Sequence, residues 1–313
     1  MTGELANLMC EIDHDMKCDE QGVLYLRCVK VLYGHIEAAR LFYDDLDNTI
    51  QKKMSFTQNQ YDPCVYNKWN GDDKVTIRVP VDNLKISSRS KDRIKEVIDE
   101  LRNTYDEITV HFGNEHDYLG MTLIYQPEQK TITLTMKNYI KGVLEQFTQE
   151  NGSEVIKNVK TPASDNLFRV RKRIEEIEIT KHQSSQFHST VAKLLFLAKR
   201  GRAHILLAVS FLTTRVKSPD LDYWKKLLRV LGYLKETLEY DLTISCKDLG
   251  TLTWYIDGSY ATHVDTKGHN GAVMTIGNNV VLSRSNKQKV NTRSSTEAEL
   301  IAVNDTLPTF QWT

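Results

Sequence analysis

The spacing of apolar positions between residues 22 and 148 switches repeatedly between a period of two and one of 3.6. GVLYLRCV (22–29) predicts a strand, and a helix follows in which Ala39, Phe42, Tyr43, Leu46 and Ile50 share one face. CVYNK (64–68) is a further strand. VTIRV (75–79) and LKIS (84–87) are rich in β-branched and apolar residues and flank Pro80-Val81-Asp82-Asn83. Asp-Asn tolerates a tight turn, so the segment predicts a β-hairpin with one carboxylate at its tip. Ile94, Val97, Ile98 and Leu101 recur at helical spacing and predict an amphipathic helix over 91–104. Strands over 117–125 and 130–136 follow, joined by Gln-Pro-Glu-Gln, and a helix begins near Lys137. The implied fold class is α+β, with helices packed on a largely antiparallel sheet.

From about 150 to 180 the composition turns polar, and the basic run RVRKR (169–173) meets the acidic run EEIE (175–178), which predicts a linker with solvated charges. STVAKLLFLAK, AHILLAVSFLTTRV and DYWKKLLRVLGYLKET then predict an apolar helical layer, punctuated by Gly201 and by Ser218-Pro219. After Gly250 the pattern returns to strands at 251–257, 271–277 and 280–285 before a last helix. Within it, Ser294 and Glu297 have capping-box spacing, which aims the Glu297 carboxylate back at the cap. Glu299 lies about 200° further around. It adjoins Leu300, Val303 and Leu307, the stripe expected to face the sheet.

Composition narrows the class without deciding function. The 313 residues suffice for two or three domains with real cores. Forty-one basic and 41 acidic residues cancel, so any nucleic-acid surface must be local rather than a property of net charge. The five cysteines (10, 18, 28, 64 and 246) are odd in number and form no CxxC pair, which argues against a disulfide framework and against a zinc site. The most apolar run, ILLAVSFL (205–212), is too short to span a bilayer, and the N-terminus lacks the order of a signal peptide. A reducing cytoplasmic or nuclear location is expected, with no membrane partner.

The most specific segment is SNKQKVNTRSSTEAELIAVND (285–305), which resembles the ribonuclease H segment of copia-type retrotransposon Pol polyproteins. KVLYGHIEAARLFYDDL (30–46), YDPCVY (61–66) and DYLGMTL (117–123) are similar to reverse-transcriptase landmarks of that family. The stretches at 187–215 and 223–237 resemble the helical region between polymerase and ribonuclease H. The resemblance implies a partial reverse-transcriptase palm over 1–150, a linker over 151–185 and a helical connection or thumb-like segment over 186–248. Residues 249–313 would then be the N-terminal part of a ribonuclease H-like α/β domain.

Taken alone, Asp82 is ordinary turn chemistry. In the resembled polymerases, however, the hairpin tip reads Tyr-Val-Asp-Asp and joins an earlier aspartate to hold two Mg²⁺ ions. Here Asp82 keeps one carboxylate, Asn83 stands at the second aspartate position and Pro80 replaces the tyrosine. Neither Asp13 nor Asp15 sits in the earlier aspartate motif, so one carboxylate of three is expected. Asp257, ending the strand TLTWYI, matches the first ribonuclease H aspartate, and Glu299 the helix glutamate. Two acids of four remain, because the others would follow Thr313. The resemblance therefore implies metal positions at Asp82, Asp257 and Glu299 that hold Mg²⁺ weakly, and a chain truncated at both ends.

Three functions follow. The chain is expected to be a fragment of such a polyprotein, inactive as it stands, or an active segment whose ends lie in flanking sequence. The third reading is a non-catalytic nucleic-acid-binding module in which Lys193, Lys199, Arg200, Arg202, Lys225, Lys226 and Arg229 touch a phosphate backbone. The partner implied by the family is an RNA or DNA template-primer, and pairing with an intact copy stays open.

Overall fold

A computed structural model describes residues 2–13, 15–27, 34–80, 83–105, 107–152, 156–171, 177–245 and 249–312. The chain divides into two compact units, Met1–Thr109 and Val110–Thr313.

The first unit contains helix α1 (Glu4–Ile12) and helix α2 (Ala38–Asn48), the latter running into a π-helical turn at Thr49–Lys53. Strands β1 (Thr57–Gln58), β2 (Val65–Asn70), β3 (Asp73–Arg78) and β4 (Lys85–Ser88) form an antiparallel sheet in that order, and helix α3 (Lys91–Thr104) follows. The boundaries of α3 coincide with the periodic segment because local chemistry fixes its start. The Ser90 hydroxyl accepts the Arg93 N–H at 3.4 Å, and Val97, Ile98 and Leu101 are buried. Val97 and Leu101 pack beside Leu46, Ile50, Tyr66, Val75 and Ile77, so alternate residues of β3 meet the helical stripe. The strand expected over 22–29 is absent from its described part, where only Val23 bridges Thr2. On α2 the apolar face is covered only at its C-terminal end, since Phe42 is exposed and Leu46 buried.

The second unit opens with β5 (Glu115–Tyr118), β6 (Met121–Gln126) and β7 (Thr131–Thr135), then α4 (Lys137–Asn151), α5 (Lys181–Ala198), α6 (Leu206–Thr213) and α7 (Leu221–Glu236). It continues with β8 (Leu242–Ser245), β9 (Leu252–Ser259), β10 (His269–Ile276), β11 (Asn279–Lys287) and α8 (Ser295–Trp312). The single strand expected over 117–125 is two. Leu119 and Gly120 both have positive φ, 52° and 77°, and turn the chain as in a two-residue hairpin.

Antiparallel strands β5-β6-β7-β8 make one sheet and β11-β10-β9 another. Because β8 follows α7 and pairs with β7, residues 115–135 share a unit with the helical layer, and the division falls at 109/110. Helix α6 is apolar nearly all round and correspondingly buried, against Phe187, Leu194, Leu227 and Leu231. The polar stretch read as a linker contributes Ile156 and Leu167 to this core. Gly232 permits that approach, since a Cβ there would lie 2.0 Å from the Lys157 carbonyl oxygen.

The terminal sheet belongs to the same compact unit rather than standing apart from residue 250 onward. Two polar ties hold it. Asn279, 6% exposed, accepts the Ser245 N–H at 2.6 Å and donates to the Ser245 carbonyl at 2.7 Å, imitating a backbone pair at the end of β8. The Ser210 hydroxyl of α6 donates to the Ser285 carbonyl of β11 at 2.6 Å.

Candidate active site

The polymerase hairpin is built by β3 and β4, whose ladder runs from Val75–Ser88 to Arg78–Lys85. Six positions separate Arg78 and Lys85, the last ladder pair, where a tight turn would leave two. Proline in an inner strand would remove a ladder N–H, but Pro80 lies beyond the last ladder pair and removes none. Buried Val79 donates its N–H to the Cys64 carbonyl at 2.8 Å and anchors one side. Asn83 is exposed on the other side. Asp82 lies outside the described residues.

The neighbouring landmark YDPCVY is structural in its contacts. Asp62 accepts the Cys64 N–H at 2.9 Å, while the fully buried Tyr66 donates its hydroxyl to Asp47 at 2.7 Å. Burial, with Tyr43 and Asp47 alongside, holds the Tyr66 hydroxyl far above the usual phenol range. It is a fixed donor at any ordinary pH.

The second acidic pair depends on the packing of α8 against β9. Gly258 is the point of closest approach: a Cβ there would lie 2.5 Å from the Ala298 carbonyl oxygen and 3.0 Å from the Ala302 Cβ. The covered face of α8 is therefore Ala298, Ala302, Thr306 and Thr309. Leu300, Val303 and Leu307, expected to face the sheet, are 65%, 47% and 43% exposed. Small residues win because the strand backbone comes close.

The Glu299 carboxylate accepts the Gly258 N–H at 2.9 Å. Strand β9 is the sheet's edge, so Glu299 satisfies an edge N–H directly beside Asp257. Glu297 turns the other way. Its N–H donates to the Ser294 hydroxyl at 3.1 Å, and its carboxylate accepts the Arg293 N–H at 2.6 Å, one residue earlier than a standard capping box uses.

Replacement of Gly258 by alanine is expected to cost about 1–3 kcal/mol, since the blocking atoms are backbone and a neighbouring Cβ. Gly271→Ala on β10, where a Cβ meets nothing within 4 Å, is the control. Thermal melts that move equally for both variants would refute the close-packing account.

The sequence reading passed over the residues that position α8. Gln288, 1% exposed, donates to the Asn270 side-chain oxygen at 2.7 Å and to the Ala298 carbonyl at 2.8 Å. Asn270 in turn donates to Asp305 at 2.8 Å. The Lys-Gln of the terminal motif was the available signal, but spacing alone gives it no role. Gln288 ties the end of β11 to the turn of helix that carries Glu299.

Chemically the two sites differ. An amide at position 83 supplies no charge where the resembled polymerases carry a carboxylate, so the described part of the hairpin does not fit a two-ion site. In the terminal part Glu299 is held at the residue that follows Asp257, and two carboxylates are a donor set that fits one loosely held Mg²⁺ with a mostly aqueous shell. Among the described residues, no group of three or more His, Cys, Asp or Glu side chains is arranged to hold a metal ion.

The seven basic residues considered for nucleic acid do not share a free surface. Arg202 and Lys226 are 2% and 8% exposed. Lys226 bonds the Arg169 carbonyl at 2.7 Å and Asp222 at 2.9 Å, Arg202 bonds Thr237, and Lys193 bonds Gln146. Arg229 donates to Thr161 at 2.7 Å. No described helix is long and apolar enough to cross a membrane.

Comparison with known proteins gives the class first. Residues 12–161 match the family described as reverse transcriptase (RNA-dependent DNA polymerase). A Pol polyprotein from transposon TNT 1-94 of Nicotiana tabacum is 26% identical over 287 residues, 90% of this chain and 21% of that one. A Pol polyprotein from transposon RE2 of Arabidopsis thaliana is 25% identical over 91% of this chain and 19% of its own length. A putative transposon Ty5-1 protein of Saccharomyces cerevisiae is 27% identical over 88% of this chain and 86% of its own length. The chain is thus related to copia-type retrotransposon Pol polyproteins, with a reverse transcriptase domain at 12–161, and spans about a fifth of the length of the two plant relatives. No solved structure gives a significant match.

Proposed function

We propose that this chain is a segment of a copia-type Pol polyprotein, related to RNA-directed DNA polymerase and ribonuclease H, that catalyses neither reaction as it stands. The observation that carries this reading is Asn83, an exposed amide at the second position of the hairpin tip. Both metal ions of the family mechanism draw on that carboxylate pair, and an amide lowers the local charge by one unit where Mg²⁺ is bound by charge. Residues 1–150, with β1–β7 and α1–α4, are assigned as palm-derived. The helices α5–α7, as far as they lie within 186–248, are assigned as the connection, and β9–β11 with α8 as the start of a ribonuclease H-like domain. The partner class is an RNA or DNA template-primer.

Asp257 and Glu299 would hold Mg²⁺ in the terminal part. When bound, the ion supplies polarisation of a phosphoryl oxygen and a more acidic water. The residues themselves contribute placement: Gly258 lets α8 close on β9, and Gln288 fixes its angle. A labelled RNA–DNA hybrid incubated with the chain and Mg²⁺ is expected to remain uncut relative to an Asp257→Asn, Glu299→Gln control. Endonucleolytic cleavage that disappears in the control would overturn the inactive assignment for this part.

A further inference from the structure

The N-terminal lobe has too little core for the way it is folded. Helix α1 returns through a turn at Asp19, whose carboxylate accepts the Gln21 and Val23 N–H groups at 3.0 and 2.8 Å, and Thr2 bridges Val23. Of the described apolar side chains in residues 2–24, only Ala6 and Leu24 are buried, while Leu5 and Ile12 are 61% and 81% exposed. A segment that buries so few of its apolar side chains gains order from a covalent tie. Inside it, the half-buried Cys10 of α1 and Cys18 of the return segment bring their sulfurs to 3.1 Å.

We propose that Cys10 and Cys18 are a modification site, forming an intramolecular disulfide by exchange with a small disulfide such as oxidised glutathione, and that this bridge staples the lobe. The sulfur separation exceeds a disulfide bond of about 2.05 Å by only about 1 Å, a gap that side-chain rotation can close. In the reduced form the pair shares an S–H···S contact, and that hydrogen bond to Cys10 holds the Cys18 thiol above its ordinary range. Exchange therefore quickens above neutral pH, as the thiolate fraction grows.

The step balances. One cysteine thiolate attacks a sulfur of the small disulfide, whose S–S bond breaks and releases one small thiolate. The second cysteine thiolate then attacks the protein sulfur of the mixed disulfide, forming the Cys10–Cys18 bond and releasing the second small thiolate. The two protons leaving the cysteines end on the released thiols, and the pair loses the two electrons that the small disulfide gains. A spacing of eight residues gave no framework signal in the sequence; the turn after α1 is what makes it a pair. The match to reverse transcriptase starts at residue 12, so Cys10 lies ahead of it.

The test uses the whole chain incubated with oxidised glutathione, alkylated under native conditions and digested with trypsin. Lys17 lies between the two cysteines, so a bridge links the peptide 1–17 to the peptide 18–27. Two of the five thiols are expected to disappear with loss of two hydrogens in mass. Amide exchange in α1 should slow about tenfold or more. Cys10→Ser should instead leave a stable glutathione adduct on Cys18, and Cys64→Ser should leave the link intact. Links to Cys28, Cys64 or Cys246, or adducts on both Cys10 and Cys18 without a bridge, would overturn the site. A bridge that leaves α1 exchange unchanged would overturn the staple.

Discussion

The 313-residue chain, given a primed RNA template, nucleoside triphosphates and Mg²⁺ or Mn²⁺, is expected to extend no primer above an Asp82→Ala control. The reason is charge at the hairpin tip. Two-ion phosphoryl transfer places carboxylates where they neutralise the attacking and leaving oxygens, an effect worth several kcal/mol. Forfeiting even ~4 kcal/mol slows the chemical step about 10³-fold. Asn83 keeps the size of an aspartate and a hydrogen-bonding carbonyl but lacks the charge. The strand ends on either side are held, with Val79 bonded to Cys64 and β4 paired through Lys85.

Asn83→Asp separates two explanations. It restores the second tip carboxylate, while neither Asp13 nor Asp15 matches the motif of the earlier aspartate. The variant is expected to stay at the control level too. Extension by the unaltered chain would contradict the inactive reading outright. Extension by Asn83→Asp alone would mean that a third acid is supplied from within these residues, and that Asn83 is the sole lesion.

Much of the fold is legible where local chemistry and packing agree. Helix α3 combines a serine cap with a stripe of Val97, Ile98 and Leu101, and β9 to β11 each read as strands from their own residues. The misreadings share a cause. Periodicity on α8 marks Leu300, Val303 and Leu307 as the apolar face, but the neighbour that comes close is Gly258, which admits only Ala298 and Ala302. A helix's own sequence cannot reveal how near its partner's backbone lies. Likewise Lys226 and Arg202 look like exposed cations. Their burial follows from carbonyl and hydroxyl groups far away in sequence at Arg169 and Thr237, with Asp222 one helical turn from Lys226 as the local partner. At the candidate site, Asp257 and Glu299 were visible as motif residues, whereas Gln288 and Asn270 gained a role only once Ala298 and Asp305 were beside them.

Acidification is expected to destabilise the second unit well before its carboxylates titrate. Two histidines there are buried in neutral form, and a third, His204, is exposed. His263 and His269, 3% and 5% exposed, share a hydrogen bond of 3.0 Å, and His269 continues to the Ser285 hydroxyl at 2.7 Å. Phe168 lies against both rings at 5.1 and 5.3 Å. Burial pushes each imidazole down to about 4; Lys287 and Arg215 add to this at His263 while Asp265 opposes it, and His263 adds to it at His269. His204, though exposed, is also held down to about 4, by desolvation of the ring and by the Arg202 guanidinium, which donates to its Nε2 at 3.2 Å. A proton arriving on that nitrogen would face a donor instead of an acceptor.

The sign follows from linkage. Each folded value lies below the unfolded 6.5, so between about 4 and 6.5 the unfolded chain binds more protons. Stability is full above pH 6.5, falls as pH drops toward 4 and levels off below. At pH 5 the loss is about 2 kcal/mol for one buried imidazole and less than twice that for the hydrogen-bonded pair, while solvent screening makes the share of the exposed His204 a minor one. Urea midpoints of the second unit, followed by amide exchange in α6 and β10, should therefore fall between pH 6.5 and 5. His204→Gln should remove one share of that slope and His263→Gln with His269→Gln the rest. The contact between Ser210 of α6 and Ser285 of β11 sits next to the pair, so protonation there should first loosen the terminal sheet from the helical layer. Midpoints independent of pH across this window, or a slope that survives in the triple variant, would place the acid sensitivity elsewhere.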